Sequence, residues 1–262
     1  MKKLLLALFL LGTFLNTEAQ FGLTAGIQTS FIRSSSFEEF KTSYGNYLAS
    51  QLKEVISNPS PRMGWAFGID AELAGFYGFA NFNKSYAAVD ILFSDNSIRH
   101  LDFRQFASDI GIGYARFTDR FSFGLGGGIV FGEDKTISYF EYTDGTISYA
   151  IDKELNGIYD GIHVGWAGHL MFSVGLTDQI HWYSRAQYLF GSLAGIGGPL
   201  GDLMTHKSQN AVAGENNKGL PTDYEEFLQN QGSFLYPDDQ YVSADFSGLR
   251  IETGIRIQFG GL

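Results

Sequence analysis

The 262-residue chain contains no cysteine. That absence excludes a disulfide framework, a thiol nucleophile, thiolate zinc sites and a lipidated N-terminal cysteine. Basic residues are outnumbered, 18 Lys and Arg against 28 Asp and Glu, and so acidic a balance excludes nucleic acid as a partner. Long apolar runs are missing as well. Beyond the N-terminus no segment reaches the roughly 18 uninterrupted apolar residues that a membrane helix needs. A chain of this kind can enter a membrane only as a closed barrel, because helices and closed barrels alone satisfy every backbone group in lipid.

The first residues are those of an export signal. Lys2 and Lys3 precede an apolar stretch from Leu4 to Leu11, extended by Phe14 and Leu15, and Thr17-Glu18-Ala19 resembles a cleavage site. The apolar part is too short to span a bilayer, so residues 1–19 read as a cleaved signal peptide and residues 20–262 as one mature domain. In that domain glycine and aromatics rise together: the whole chain has 33 Gly, 24 Phe and 14 Tyr but only 5 Pro. Such usage favours many short strands over helices.

Period-two alternation, the mark of a strand with two different faces, recurs along the domain. Phe21, Leu23, Ala25, Ile27 and Phe31 alternate with Gly22, Thr24, Gly26, Gln28 and Ser30. The same pattern runs through Met63–Leu73, Phe106–Ala115, Phe121–Phe131, Ile162–Leu176, Ile180–Phe190 and Leu249–Phe259. A segment at Phe76–Tyr86 has two faces too similar to assign. Eight strands result. Ala74-Gly75, Thr118-Asp119-Arg120 and Thr177-Asp178-Gln179 make tight turns. The connections at 33–62, 87–99, 133–160 and 191–242 read as long loops, so short and long connections alternate as in a transmembrane barrel.

The face opposite the apolar one is rich in Gly, Ala and Ser rather than in Lys, Glu and Thr, which suits a narrow interior better than water. It carries Asp70, Glu72, Arg185, Arg250, Glu252 and Arg256. In a lumen these charges must pair, since an unpaired buried charge is costly. Counted from the tight-turn end, Asp70, Glu72 and Arg256 fall at similar heights, and a barrel-interior charge network is expected there. Aromatics near segment ends (Phe21, Phe117, Phe121, Phe172, Trp182 and Phe259) fit interfacial girdles.

This layout resembles the small eight-stranded outer-membrane barrels of the OmpA transmembrane-domain and OmpX type, often labelled porin-family proteins. The resemblance covers nearly the whole mature chain. It includes a closing strand, Ile251-x-Thr253-x-Ile255-x-Ile257-x-Phe259, similar to the terminal strand that the barrel-assembly machinery recognises. Gly260, Gly261 and Leu262 follow the aromatic that usually ends such chains. The resemblance implies an all-β, antiparallel up-and-down transmembrane barrel in a Gram-negative outer membrane.

The loops carry their own patterns. Ser36-x-x-Glu39 reads as a capping box, with Phe37, Phe40, Tyr44, Tyr47, Leu48, Leu52, Val55 and Ile56 at helical spacing. The predicted helix ends before Pro59 and Pro61; it could cap the barrel mouth, lie on the membrane surface or dock a partner protein, and the cap is favoured. A shorter helix is expected at Thr222–Leu228 and a hairpin tip at Tyr142–Ile147. Glu225-Glu226 and Asp238-Asp239 lack metal-ligand spacing. His163 and His169 share a face but stand too far apart along a strand for one metal. His206-x-Ser208, followed by Asn210, resembles the His-x-Ser motif of an outer-membrane lipid A deacylase, with Glu215 as the nearest acid. It falls in a polar loop rather than on a strand near lipid. The functional expectation is therefore a non-enzymatic barrel with a side-chain-filled lumen, without cofactor or metal, in contact with outer-membrane lipid and open to an envelope partner through its loops. A narrow pore or accessory subunit is the first alternative and a lipid A-modifying enzyme the second.

Overall fold

In the computed structural model, which describes residues 20–32, 35–59, 61–73, 75–117, 120–148, 156–192 and 248–259, the alternating segments pair into one sheet. Its strands are β1 (Gln20–Ile32), β2 (Arg62–Leu73), β3 (Phe76–Leu92), β4 (Ile98–Phe117), β5 (Phe121–Glu141), the two-residue β6 (Ile147–Ser148), β7 (Gly157–Gly175), β8 (Ile180–Ser192) and β9 (Gly248–Phe259). The order is β4-β3-β2-β1-β9-β8-β7-β5, and pairing of β4 with β5 closes a ring of eight antiparallel strands. β6 folds back on the end of β5 outside that ring. Closure removes the free edges that an open sheet would expose.

Between the tight-turn end and about Tyr86 the apolar residues face outward. Leu23, Ile27, Ile69, Phe82, Ile110, Ile112, Leu125, Leu170 and Ile255 are all exposed, and most of the glycines and charges alternate with them inward, with Lys84 and Arg116 exposed on the outward face. Phe21–Phe31, Phe76–Tyr86 and Phe121–Phe131 each span eleven residues of this belt, against roughly 9–11 for a tilted transmembrane strand. The ambiguous third segment resolves by position. Tyr77, Phe79, Asn81, Asn83 and Ser85 of β3 point inward and are buried, while Phe76, Phe82 and Tyr86 point out.

Two of the expected long loops are largely strand. β3 continues to Leu92 and β4 begins at Ile98, so a short turn replaces the loop expected over 87–99. Most of 133–160 is likewise paired, with β5 meeting β7 as far as Ser138 and Gly157. The strict alternation of short and long connections is thus corrected to strands that overshoot the belt at one end. The sense of the alternation inverts there: Ala87, Val89, Ile91, Leu101 and Phe103 are buried inward, while Asp90 and Arg104 face outward.

What they bury against is α1 (Ser35–Tyr47), whose Phe37, Phe40 and Tyr44 join Leu48 and Ile56 in one cluster with these five residues and Phe93. Phe40 stacks on Tyr44, with ring centroids 5.3 Å apart, and Phe37 meets Phe103 edge-on. Glu38 lies in the first turn, where it suits the helix dipole, and pairs with Lys41. The helix stops earlier than its periodicity predicts. Past Tyr47 the chain turns to meet the end of β3, with Lys53 N donating to Leu92 O at 2.9 Å and Ser94 N to Gln51 O at 2.7 Å. Leu52 is half-buried and Val55, expected on the apolar face, is 89% exposed.

The strand tips are stiffened locally. At the β3–β4 tip, Asn96 adopts a left-handed φ of 66°. Asp95 Oδ1 accepts from Ser97 Oγ and Ser97 N, which hold its carboxyl below the usual range. The expected tip at Tyr142–Ile147 is present, with Gly145 N donating to Tyr142 O at 2.8 Å. Thr146 holds the Asp144 carboxyl low in the same way, through its amide first. Thr143 Oγ1 donates to Asp95 O and joins the two tips.

Candidate functional site

The inward faces of the eight strands fill the barrel in layers. Nearest the tight turns, Arg256 Nη2 lies 2.5 Å from Asp70 Oδ1 and 3.8 Å from Glu72 Oε2, and its Nε also donates to Asp70. Arg256 reaches Asp70 across β1, over Gly22, which stands opposite Asp70 in the β1–β2 register. A Cβ at Gly22 would sit 2.6 Å from both Arg256 Nε and Asp70 Oδ1. The absent side chain is what lets the two charges meet.

Replacing Gly22 with valine should therefore destabilise the barrel by about 1–3 kcal/mol, the usual cost of overpacking. Gly78→Ala is the control, because its Cβ would meet nothing nearer than Gly111 O at 3.8 Å. Urea unfolding of both variants after refolding into lipid vesicles would check this. Equal midpoints would mean that the ion pair tolerates bulk at Gly22.

Above this layer the lumen is aromatic. Tyr77 Oη and His169 Nε2 share a hydrogen bond, and the His169 ring stands edge-on to Phe79 at 4.8 Å. Arg185 lies over the Phe79 ring at 4.6 Å, and Asn81, with its amide oxygen turned toward it, accepts from the same guanidinium. Arg185 also faces Glu252 at 4.0 Å, while Tyr183 Oη donates to Glu252 Oε1 at 2.5 Å. Glycine again makes the room. A Cβ at Gly111 or Gly113 would stand 2.7 Å from the ring of Phe79 or Tyr77 respectively.

A third layer centres on Arg250, which is 1% exposed. Its Nη1 donates to Asp109 Oδ2 at 2.8 Å, to Asp109 Oδ1 at 3.1 Å and to Gln187 Oε1 at 3.2 Å. Asn83 Nδ2 donates to Asp109 as well. Ala107, Val130, Ala167 and Leu189 then close an apolar layer of their own.

The six charges singled out in the sequence thus occupy three separate layers. Asp70, Glu72 and Arg256 meet in one, and Arg185 and Glu252 in another. Arg250 meets none of the other five; it pairs with Asp109, on the opposite side of the ring. Asp109 stands out in the sequence only as an inward residue of its strand, with nothing nearby to tie it to a cation 141 residues later. Of the two histidines, His169 is a buried lumen residue, and the side chain of His163 lies outside the described residues. His206, Ser208, Glu215, the helix expected at Thr222–Leu228 and both acidic pairs also lie outside them. Among the described residues no group of His, Asp and Glu could hold a metal ion.

The chain matches no protein-family model and no curated protein. In structure it is similar to Ail, the attachment invasion locus protein of Yersinia pestis, in complex with the heparin analogue sucrose octasulfate: TM-score 0.44, 9% identity, covering 93% of this chain and 100% of that one. A second crystal structure of Ail gives TM-score 0.41 at 10% identity over the same shares. Neisserial surface protein A gives 0.32 at 10% identity, over 93% of this chain and 98% of that one.

Proposed function

We propose that this protein is an integral outer-membrane β-barrel, exported by residues 1–19, that is non-enzymatic, closed to bulk ion flow and used for envelope structure or for interaction through its loop end. The carrying observation is the belt: eight paired strands expose aliphatic and aromatic side chains outward, while among the described residues the ion pairs of the lower barrel face inward. Apolar exposure on that scale is unfavourable in water and favourable in hydrocarbon. An eight-stranded barrel is just wide enough to be filled by its own side chains. The Tyr77, Phe79, His169 and Arg185 layer supports a filled lumen.

A narrow pore is the competing reading, and one observation favours it. The side-chain amide of Gln28, Ser30 Oγ, Gln105 Nε2 and the Nε and Nη2 atoms of Arg250 are buried without hydrogen-bond partners. Buried polar atoms of this kind commonly hold water. Recordings in planar bilayers separate the two. The filled barrel is expected to give no reproducible single-channel steps, and sizeable steps of constant amplitude would replace it with the pore.

A further inference from the structure

Arg99 is a buried cation that forms no ion pair among the described residues. It points inward from β4, beyond the belt, and is 4% exposed. Its Nε donates to Tyr44 Oη at 3.1 Å, and its Nη1 donates to Ser138 Oγ at 3.0 Å and to Asn156 Oδ1 at 2.9 Å. The guanidinium carbon lies 5.4 Å from the centre of the Phe140 ring. Every one of these partners is neutral. The three lumen arginines each have a carboxylate, whereas no carboxylate among the described residues forms an ion pair with Arg99.

Arginine cannot relieve such a position by losing its proton. Neutral acceptors satisfy N–H directions but leave the charge, and here the surroundings are the apolar cluster that holds Phe40 and Leu101. Nη2 makes no hydrogen bond among the described residues. Three elements therefore hold the guanidinium plane still, namely α1 through Tyr44, β5 through Ser138 and the start of β7 through Asn156. A guanidinium held by neutral acceptors, with no carboxylate partner and no bond from Nη2 among the described residues, is an arrangement that binds an oxyanion at low ordering cost.

We propose that Arg99 is the core of an oxyanion-binding site at the loop end of the barrel, taking a phosphate, sulfate or carboxylate group through Nη2. Nothing in this site depends on whether the lumen conducts or on which membrane holds the belt.

The test uses the full mature chain refolded in an uncharged glucoside detergent, titrated separately with inorganic phosphate, sulfate and acetate against chloride at constant ionic strength. The Arg99 Nε–H resonance and titration calorimetry are the readouts. Saturable binding is expected for at least one of the three oxyanions, with a shift of the Nε–H signal. Arg99→Gln is expected to weaken it by at least about tenfold, the loss that goes with one charge-assisted hydrogen bond. Tyr44→Phe keeps the cation but frees its plane, and is expected to weaken binding several-fold while gel mobility still reports a folded barrel. It serves as the second variant where Arg99→Gln impairs folding. No saturable response in the wild type would overturn the proposal. So would equal binding by the wild type and either variant, which would mean an adventitious ion only.

Discussion

Replacing Asp109 with leucine is expected to cost about 3–5 kcal/mol, because it strands Arg250 as an unpaired charge at the centre of the barrel. Arg250 is 1% exposed and its Asp109 partner is equally enclosed. A guanidinium stays charged at any accessible pH, so the loss cannot be softened by titration. Asn83 Nδ2 loses its acceptor in the same substitution. The double variant Asp109→Leu/Arg250→Met should recover at least half of the deficit, since apolar replacement of a whole buried pair is often neutral or stabilising. Urea midpoints in vesicles, followed by tryptophan fluorescence and by heat-modifiable gel mobility, provide the measurement. A single variant within about 1 kcal/mol of the wild type would show that water or a neighbour already screens Arg250.

The second large effect concerns the outward face. Ile110 is 56% exposed and sits mid-belt, opposite Ala80 on β3 and Ile129 on β5. In a water-soluble barrel, exchanging an exposed isoleucine for lysine would be neutral or helpful. In a bilayer midplane it costs about 2–4 kcal/mol, falling to about 0–1 near the interfaces. Ile110→Lys is therefore expected to lower stability in vesicles by that larger amount. Glu133→Lys, on the outward face beyond the belt, should change little. If both substitutions are silent, the belt does not face lipid and the membrane reading fails.

These effects differ in how far the sequence foretells them. The lipid-facing pattern is local: each outward residue of β1, β4, β5 or β9 is recognisable from its two chain neighbours, because strand side chains alternate strictly. Asp70, Glu72 and Arg256 are legible for a related reason. Their heights can be counted from tight turns, and β1 alone separates their strands. Asp109 and Arg250 are different, because they meet through the lumen. Neither counting from a turn nor adjacency of strands reports a distance across the barrel.

The segments misread as loops have a single physical cause. Below Tyr86 the surroundings reward apolar residues outside and small or polar ones inside. Above it they reward the reverse, because α1 covers the inner face and water meets the outer one. Along β3 the inward series passes from Tyr77 and Phe79, through Asn81, Asn83 and Ser85, to Ala87, Val89 and Ile91. No one rule of polarity describes that series, so a single-pattern reading ends the strand too soon. The helix shows the same limit. Its apolar period runs on to Ile56, but Leu52 is taken instead into a bridge with Phe93 at the end of β3.

By itself the sequence determined the class of fold, the strand number, the face that turns outward and the place of a helix after the first strand. All of these follow from local alternation, turn chemistry and helical period. Only the tertiary structure decided how far the strands rise beyond the belt, which lumen charges meet and that Arg99 is buried among neutral partners. These depend on which residues face one another through space, and closing a sheet into a ring creates such neighbours between positions far apart in the chain.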